Sequence, residues 1–173
     1  MPALSGSFFH RAVVYICEHD TQGAIGLIVN KPTHVMLPEL LNHLEISNAA
    51  TPLRAMPVFF GGPVQKGQGM VIHNSQQQWK TTIALSESLF LTTSTDILEK
   101  MGSPDGPEKS LVTLGYSGWE AGQIEQEIVN NSWLTVSAEE SILFDIPADK
   151  RWHEAAKLLG IDIDLMPNSM GHA

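Results

Sequence analysis

The sequence predicts an α+β fold: a mixed, largely antiparallel sheet that curls into a partly barrel-like core, with a few helices packed on it. Three observations point there. Strand candidates outnumber helix candidates by about two to one, too many strands for alternating βα units. Hairpin-length connections recur, as at His19-Asp20-Thr21-Gln22-Gly23. Several strand candidates are apolar on both parities, as in Val13-Val14-Tyr15-Ile16-Cys17 and Gly26-Leu27-Ile28-Val29. That pattern marks strands covered on both faces, or a closed sheet.

In chain order, the predicted strands are Ala12–Glu18, Ala24–Asn30, Val58–Gly61, Gly69–His73, Thr81–Leu85, Leu89–Thr93, Leu111–Tyr116, Trp133–Val136 and Ile142–Phe144. Each is rich in Val, Ile, Leu or Phe, and Gly, Pro, Asn or Asp bound them. Four glycines between Phe60 and Met70 predict a tight connection. Surface loops are expected at Ser47–Pro57 and Gly102–Lys109. Leu37, Leu40, Leu41 and Leu44 share a helical face, with Pro38 in the first turn. Asp96–Lys100 is a short helix capped by Ser94 or Thr95 and stopped by Gly102. Asp149–Leu159 places Trp152, Ala155, Ala156 and Leu159 on one face, and Gly160 ends it.

The stretch from Leu111 to Asn131 carries the most information. It predicts a buried strand, a double-glycine turn at Gly115-Tyr116-Ser117-Gly118, and a helix that Ser117 and Glu120 start as a capping box. Backbone N–H groups at such a start can hold an anion, although glycines that turn the chain and a capping serine explain the same residues. On a helical wheel, Ala121, Ile124 and Ile128 cluster and Glu125 falls inside the apolar arc. A carboxylate there must be paired, hydrogen-bonded or protonated. Glu120 and Glu127 lie on the polar face beside Gln123.

Length and composition set bounds. A chain of 173 residues is expected to form one domain, spanning 1–173, and to need no covalent staples. No apolar run is long enough to cross a bilayer, and the opening lacks a charged segment ahead of an apolar core. The single cysteine, Cys17, cannot form an internal disulfide, which fits the cytoplasm. A net charge of −9 argues against direct binding to nucleic acid or to an anionic membrane.

Other motifs admit two readings. Phe59-Phe60-Gly61-Gly62-Pro63-Val64 can bring backbone close to a ligand, or simply end a strand in a tight turn. Cys17 and His19 face the same way on a strand, so a reactive thiolate competes with a buried apolar cysteine. Seven histidines show no metal-ligand spacing, so no metal and no cofactor is expected. The hydroxyls of Thr92-Thr93-Ser94-Thr95 precede a short helix and read as caps.

These motifs occur together and in order: PALSGSFFHRAVVYICEH (Pro2–His19), GAIGLIVNKP (Gly23–Pro32), FGGPV (Phe60–Val64), LTTSTDIL (Leu91–Leu98), LGYSGWEAGQIEQEI (Leu114–Ile128), NSWL (Asn131–Leu134) and GHA (Gly171–Ala173). The ordered set resembles the bacterial AlgH/YqgE family over essentially the whole chain. The resemblance implies a cytosolic α+β protein with a partly barrel-like sheet. It implies no established activity, cofactor or active site. The family carries the label of transcriptional regulators, and a −9 chain fits that role through a protein partner better than through DNA. Members usually carry an extra apolar segment before the Met1-Pro2 start, and often Asp-Pro where Gly6-Ser7 stand here. A truncated start or a missing first strand is therefore expected, and a missing strand would expose a sheet edge.

The leading expectation is a non-enzymatic binding or regulatory protein with another protein as partner and a homo-oligomer as a further option. Its surface would comprise Gly115, Tyr116, Ser117, Gly118, Trp119 and Gln123, the turn Gly61-Gly62-Pro63, and Asn30-Lys31, with Trp119 or Tyr116 exposed in a concave patch. The alternative is an enzyme acting on a small anionic metabolite, with Glu125 as acid/base in a cleft.

Overall fold

The computed structural model describes residues 8–47 and 56–160. Most of the predicted Ser47–Pro57 loop, Pro2–Ser7 and the Gly171–Ala173 motif lie outside the described residues. The described elements run β1 (Val14–Asp20), β2 (Gly23–Ile28), β3 (Pro32–Met36), α1 (Leu37–His43), β4 (Pro57–Phe60), β5 (Val64–His73), β6 (Thr82–Ala84), β7 (Phe90–Thr92), α2 (Asp96–Lys100), β8 (Ser110–Glu120), α3 (Gln123–Val129), α4 (Glu140–Phe144) and α5 (Arg151–Lys157).

All eight strands belong to one curled, mostly antiparallel sheet ordered β1-β2-β8-β5-β7-β6, with β4 on β8 and β3 on β4. The eleven-residue β8 is its axis. Antiparallel β5 pairs along one edge, from His73↔Ser110 to Gly69↔Leu114. The other edge is divided. Parallel β4 takes Thr113 and Leu114, and antiparallel β2 takes Ser117 to Glu120. The single parallel pairing is what makes the sheet mixed, as predicted.

Apolarity on both parities has the expected cause. Val58, Val71 and Val112 face a core with Leu37 and Leu41 of α1 and Ile97 and Leu98 of α2. Their strand neighbours Phe59, Met70, Ile72 and Leu111 face a second core with Leu27, Leu91 and Leu143 of α4. The central strands are thus buried on both sides.

Several boundaries differ from expectation. Ile142–Phe144 is helical in α4, because a three-residue apolar run does not distinguish a buried helix face from a strand. Trp133–Val136 joins no ladder. Pro32–Met36 is a strand that Pro32 and the half-exposed pattern concealed; it pairs with β4 alone, an edge position that tolerates proline. The predicted turn at 61–69 is largely β5, bulged between Val64 and Gly69. The largest correction is in β8, which runs through the predicted turn to Glu120. The helix starts only at Gln123, after Gly122 with φ +75°.

Glycines allow two backbone segments to touch at the point where β8 changes partner. A Cβ on Gly61 would lie 2.1 Å from the Gly115 carbonyl oxygen, and one on Gly115 (φ +72°) would lie 2.5 Å from that of Gly62. Either Gly61→Ala or Gly115→Ala is expected to destabilise the fold by roughly 2–4 kcal/mol in urea titrations. Gly67→Ala, whose Cβ meets nothing within 4 Å, should change stability by less than about 0.5 kcal/mol.

Candidate functional site

The residues singled out from the sequence separate into three clusters and one outlying residue, Glu125. Gly61, Gly62, Gly115, Tyr116 and Ser117 meet at the glycine contact. The Gly61 N–H donates to Leu114 O at 2.9 Å, the Ile28 N–H donates to Gly61 O at 2.9 Å, and the buried Ser117 hydroxyl donates to the same oxygen at 3.3 Å. Ser117 is therefore not a helix cap; it ties β8 to the end of β4. Tyr116 is half-buried against the second core, while Pro63 and Gly118 are exposed. Backbone fills the space between the two glycine segments, so this junction has no room for an anion.

Trp119 and Gln123 belong to a second group. Trp119 is 7% exposed, which overturns the expectation that it projects into a concave patch. Its indole N–H donates to Glu127 Oε2 at 3.0 Å, and the Trp133 indole donates to the same oxygen at 2.7 Å. Gln123 Nε2 donates to Glu127 Oε1 at 2.9 Å, while its own Oε1 accepts from the Glu120 N–H at 3.0 Å. Phe9 closes the cluster, with ring centroids 6.1 and 5.4 Å from Trp119 and Trp133. Burial pulls the Glu127 carboxyl upward, but the bonds from Trp133, Gln123 and Trp119 outweigh it and hold the group below its ordinary value. Sequence reasoning assigned the constrained carboxylate to Glu125. The signal that it is Glu127 was the pair of tryptophans, each needing an acceptor when buried.

Glu125 instead lies in the open. Its Oε1 accepts from His19 Nε2 at 2.6 Å, with the two side chains 50% and 47% exposed. Ile128 and Val129, which flank it on the predicted apolar arc, are 37% and 74% exposed, so that arc is not a buried face and Glu125 reaches solvent. Its own backbone N–H, then His19, hold its carboxyl below the ordinary value. Cys17 is not activated by His19. Burial, then Glu18, pushes its thiol up to about 12, and the thiol donates to Tyr15 O at 3.8 Å.

The third place is the corner after β2. Asn30 Oδ1 accepts from the Val13 N–H and its Nδ2 donates to Arg11 O, both at 2.8 Å. This clamp holds Arg11 at φ +50°, and the Arg11 guanidinium lies 5.1 Å from the centre of the Trp152 ring. Lys31 Nζ donates to His10 O at 2.7 Å, and the Phe60 N–H donates to Lys31 O at 2.8 Å. Next to Trp152, the buried Arg151 donates from Nε to Ile146 O at 2.9 Å and from Nη1 to Val29 O, with Phe59 beneath it. The burial of Arg151 depends on a contact 122 residues away in sequence and is invisible to periodicity.

Other polar groups serve the core. His73 Nε2 and Thr92 Oγ1 are 2.9 Å apart, and Thr92 meets Thr82 Oγ1 at 2.8 Å. Burial, partly offset by the Ser75 backbone, lowers His73 to about 4. Thr92 thus serves the sheet, and Thr95 at the start of α2 makes no side-chain capping bond. Two shallow hollows of about 650 and 250 Å³ lie beside Leu44, Ile46 and Lys100, and beside Met101, Lys109 and Phe144; neither is lined by Glu125. Among the described residues, no three of His, Cys, Asp and Glu gather into a group that could hold a metal.

Glu127→Gln keeps the size of the side chain but forces one donor to face another donor. It is expected to cost about 1–3 kcal/mol and to shift tryptophan fluorescence. A carboxyl held below its unfolded value of about 4.3 contributes fully above that value. The contribution is lost as pH falls through the folded pKa, so acid titration of wild type should show a stability loss that the variant lacks. Cys17 should resist iodoacetamide at neutral pH until the chain is unfolded.

Comparison with known proteins agrees with this architecture. Residues 1–164 match the family model described as AlgH-like. The UPF0301 protein Tgr7_2910 of Thioalkalivibrio sulfidiphilus is 47% identical over 173 residues, covering 100% of this chain and 92% of that protein. The UPF0301 protein PMI0339 of Proteus mirabilis is 47% identical, covering 100% and 95%. The solution structure of AlgH from Pseudomonas aeruginosa superposes with a TM-score of 0.81 at 40% identity, covering 100% of this chain and 92% of that one. The crystal structure of DIP2367 from Corynebacterium diphtheriae shares the fold, with a TM-score of 0.65 at 19% identity over 88% of this chain and 80% of that one. The family model and the relatives of 40–47% identity that cover the whole chain place it, with its curled sheet built on β8, in the AlgH-like family.

Proposed function

We propose that this protein is a non-enzymatic binding protein of the cytoplasm that acts through a protein partner, which adds a strand at residues 133–138. One observation carries the reading. These residues join no helix and no ladder, and their backbone groups make no backbone–backbone hydrogen bond among the described residues. Leu134 is 62% exposed, Val136 37%, and Val129 at the end of α3 74%. No charged residue occurs from Ile128 to Ala138. An uncharged, alternating, unpaired segment is what strand addition uses: main-chain bonds supply affinity and alternate side chains supply specificity.

Two further facts favour binding over catalysis. Glu125 and His19 are half in solvent, without the enclosed setting that acid/base chemistry needs. The −9 charge disfavours DNA, so any influence on transcription would pass through a protein. No helix among the described residues is long and apolar enough to cross a membrane.

Leu134→Asp and Val129→Asp should fold as wild type, because both side chains are largely in solvent. A partner retained by wild type from native lysate should be lost on both variants. Equal retention by wild type and both variants would remove this reading.

A further inference from the structure

We propose that Arg11, Lys31 and Arg151 form a binding site for a small phosphate-bearing anion. The site is distinct from the strand-adding segment and was not legible as a cluster in the sequence, where the three residues stand 20 and 120 positions apart.

The first support is Arg151. It is 6% exposed, and a guanidinium stays charged in a protein. Two carbonyl oxygens, of Ile146 and Val29, accept from Nε and Nη1, and Phe59 lies against the cation. None of the ion pairs among the described residues involves it, and burial alone lowers its pKa, with no carboxylate counteracting. The nearest acids along α5 do not compensate: Glu154 pairs with Lys157, and Asp149 is exposed. A buried cation without a counter-ion is a costly arrangement that a bound anion would relieve.

The second support is the assembly around it. Asn30 clamps the backbone on both sides of Ala12 and holds Arg11 in the left-handed region. That conformation carries the Arg11 guanidinium onto Trp152, the residue next to Arg151. Lys31, the residue after the clamp, is fixed on His10 O, the residue before Arg11. Three of the ten basic residues of an acidic chain are thus gathered at one corner, none with a carboxylate partner among the described residues. The planar fork of Arg11, the Nη2 of Arg151 left over from its two carbonyl bonds, and one ammonium suit a tetrahedral dianion with three acceptor oxygens better than a single carboxylate. The surrounding negative charge opposes a long polyanion, which points to a small molecule.

The test is titration of the isotopically labelled full chain with pyrophosphate and inorganic phosphate at constant ionic strength. Chloride and citrate serve as comparison anions, and the side-chain resonances of Asn30 and Trp152 are followed by NMR. Saturable shifts confined to this corner are expected, with Arg11→Gln and Lys31→Gln each weakening pyrophosphate by roughly tenfold while leaving the rest of the spectrum unchanged. If one variant fails to fold, the other decides. Shifts that do not saturate, that chloride reproduces, or that both folded variants leave intact would overturn the site. Equal binding of citrate would overturn its assignment to phosphate. Leu134→Asp should bind pyrophosphate as wild type does, which separates this site from the partner surface.

Discussion

One strand has to satisfy three others. β8 hydrogen-bonds to β5 along one edge and shares the other between β4 and β2, which arrive from opposite directions. The exchange of partners requires a break in the pleat, and Gly115 supplies it with φ +72°. The break is usable only because Gly61 and Gly62 bring bare backbone into contact there. A side chain on either segment would separate β4 from β8 and leave ladder groups unpaired in a two-sided core.

That requirement explains what could be read in advance. Alternation and turn residues report local conformation, and they located β1, β2, β4, β7 and α1 within a few residues. The double covering of the sheet was legible because Val58 with Phe59, and Leu111 with Val112, are apolar neighbours that must face opposite cores. The glycines of Gly115-Tyr116-Ser117-Gly118 were misread for a physical reason. A glycine at positive φ reads as a turn from sequence, whereas here a long strand runs through it, opposite the bulge in β5. In the shorter α3 only Ile124 of the predicted apolar arc is buried, and the constrained carboxylate is Glu127 in place of Glu125.

The candidate site was legible only in pieces. Asn30 and Lys31 stand together in a sequence motif, but Arg11 and Arg151 join them through contacts that no local pattern records. Likewise Trp119 and Trp133 stand fourteen residues apart, with Glu127 between them in sequence and between them in space. Both groupings are made by tertiary structure out of side chains whose local surroundings are unremarkable.

The Trp133 indole bond to Glu127 has a consequence for association. It anchors the start of the unpaired segment, while Ile142 and Leu143 seat the helix that follows it in the core. The intervening residues are therefore strung between two fixed posts. A strand that docks there restricts a chain already short of freedom, so the entropic cost of ordering it is smaller than for a free tail. The latch that looks like internal packing thereby sets how readily the outer surface can be used.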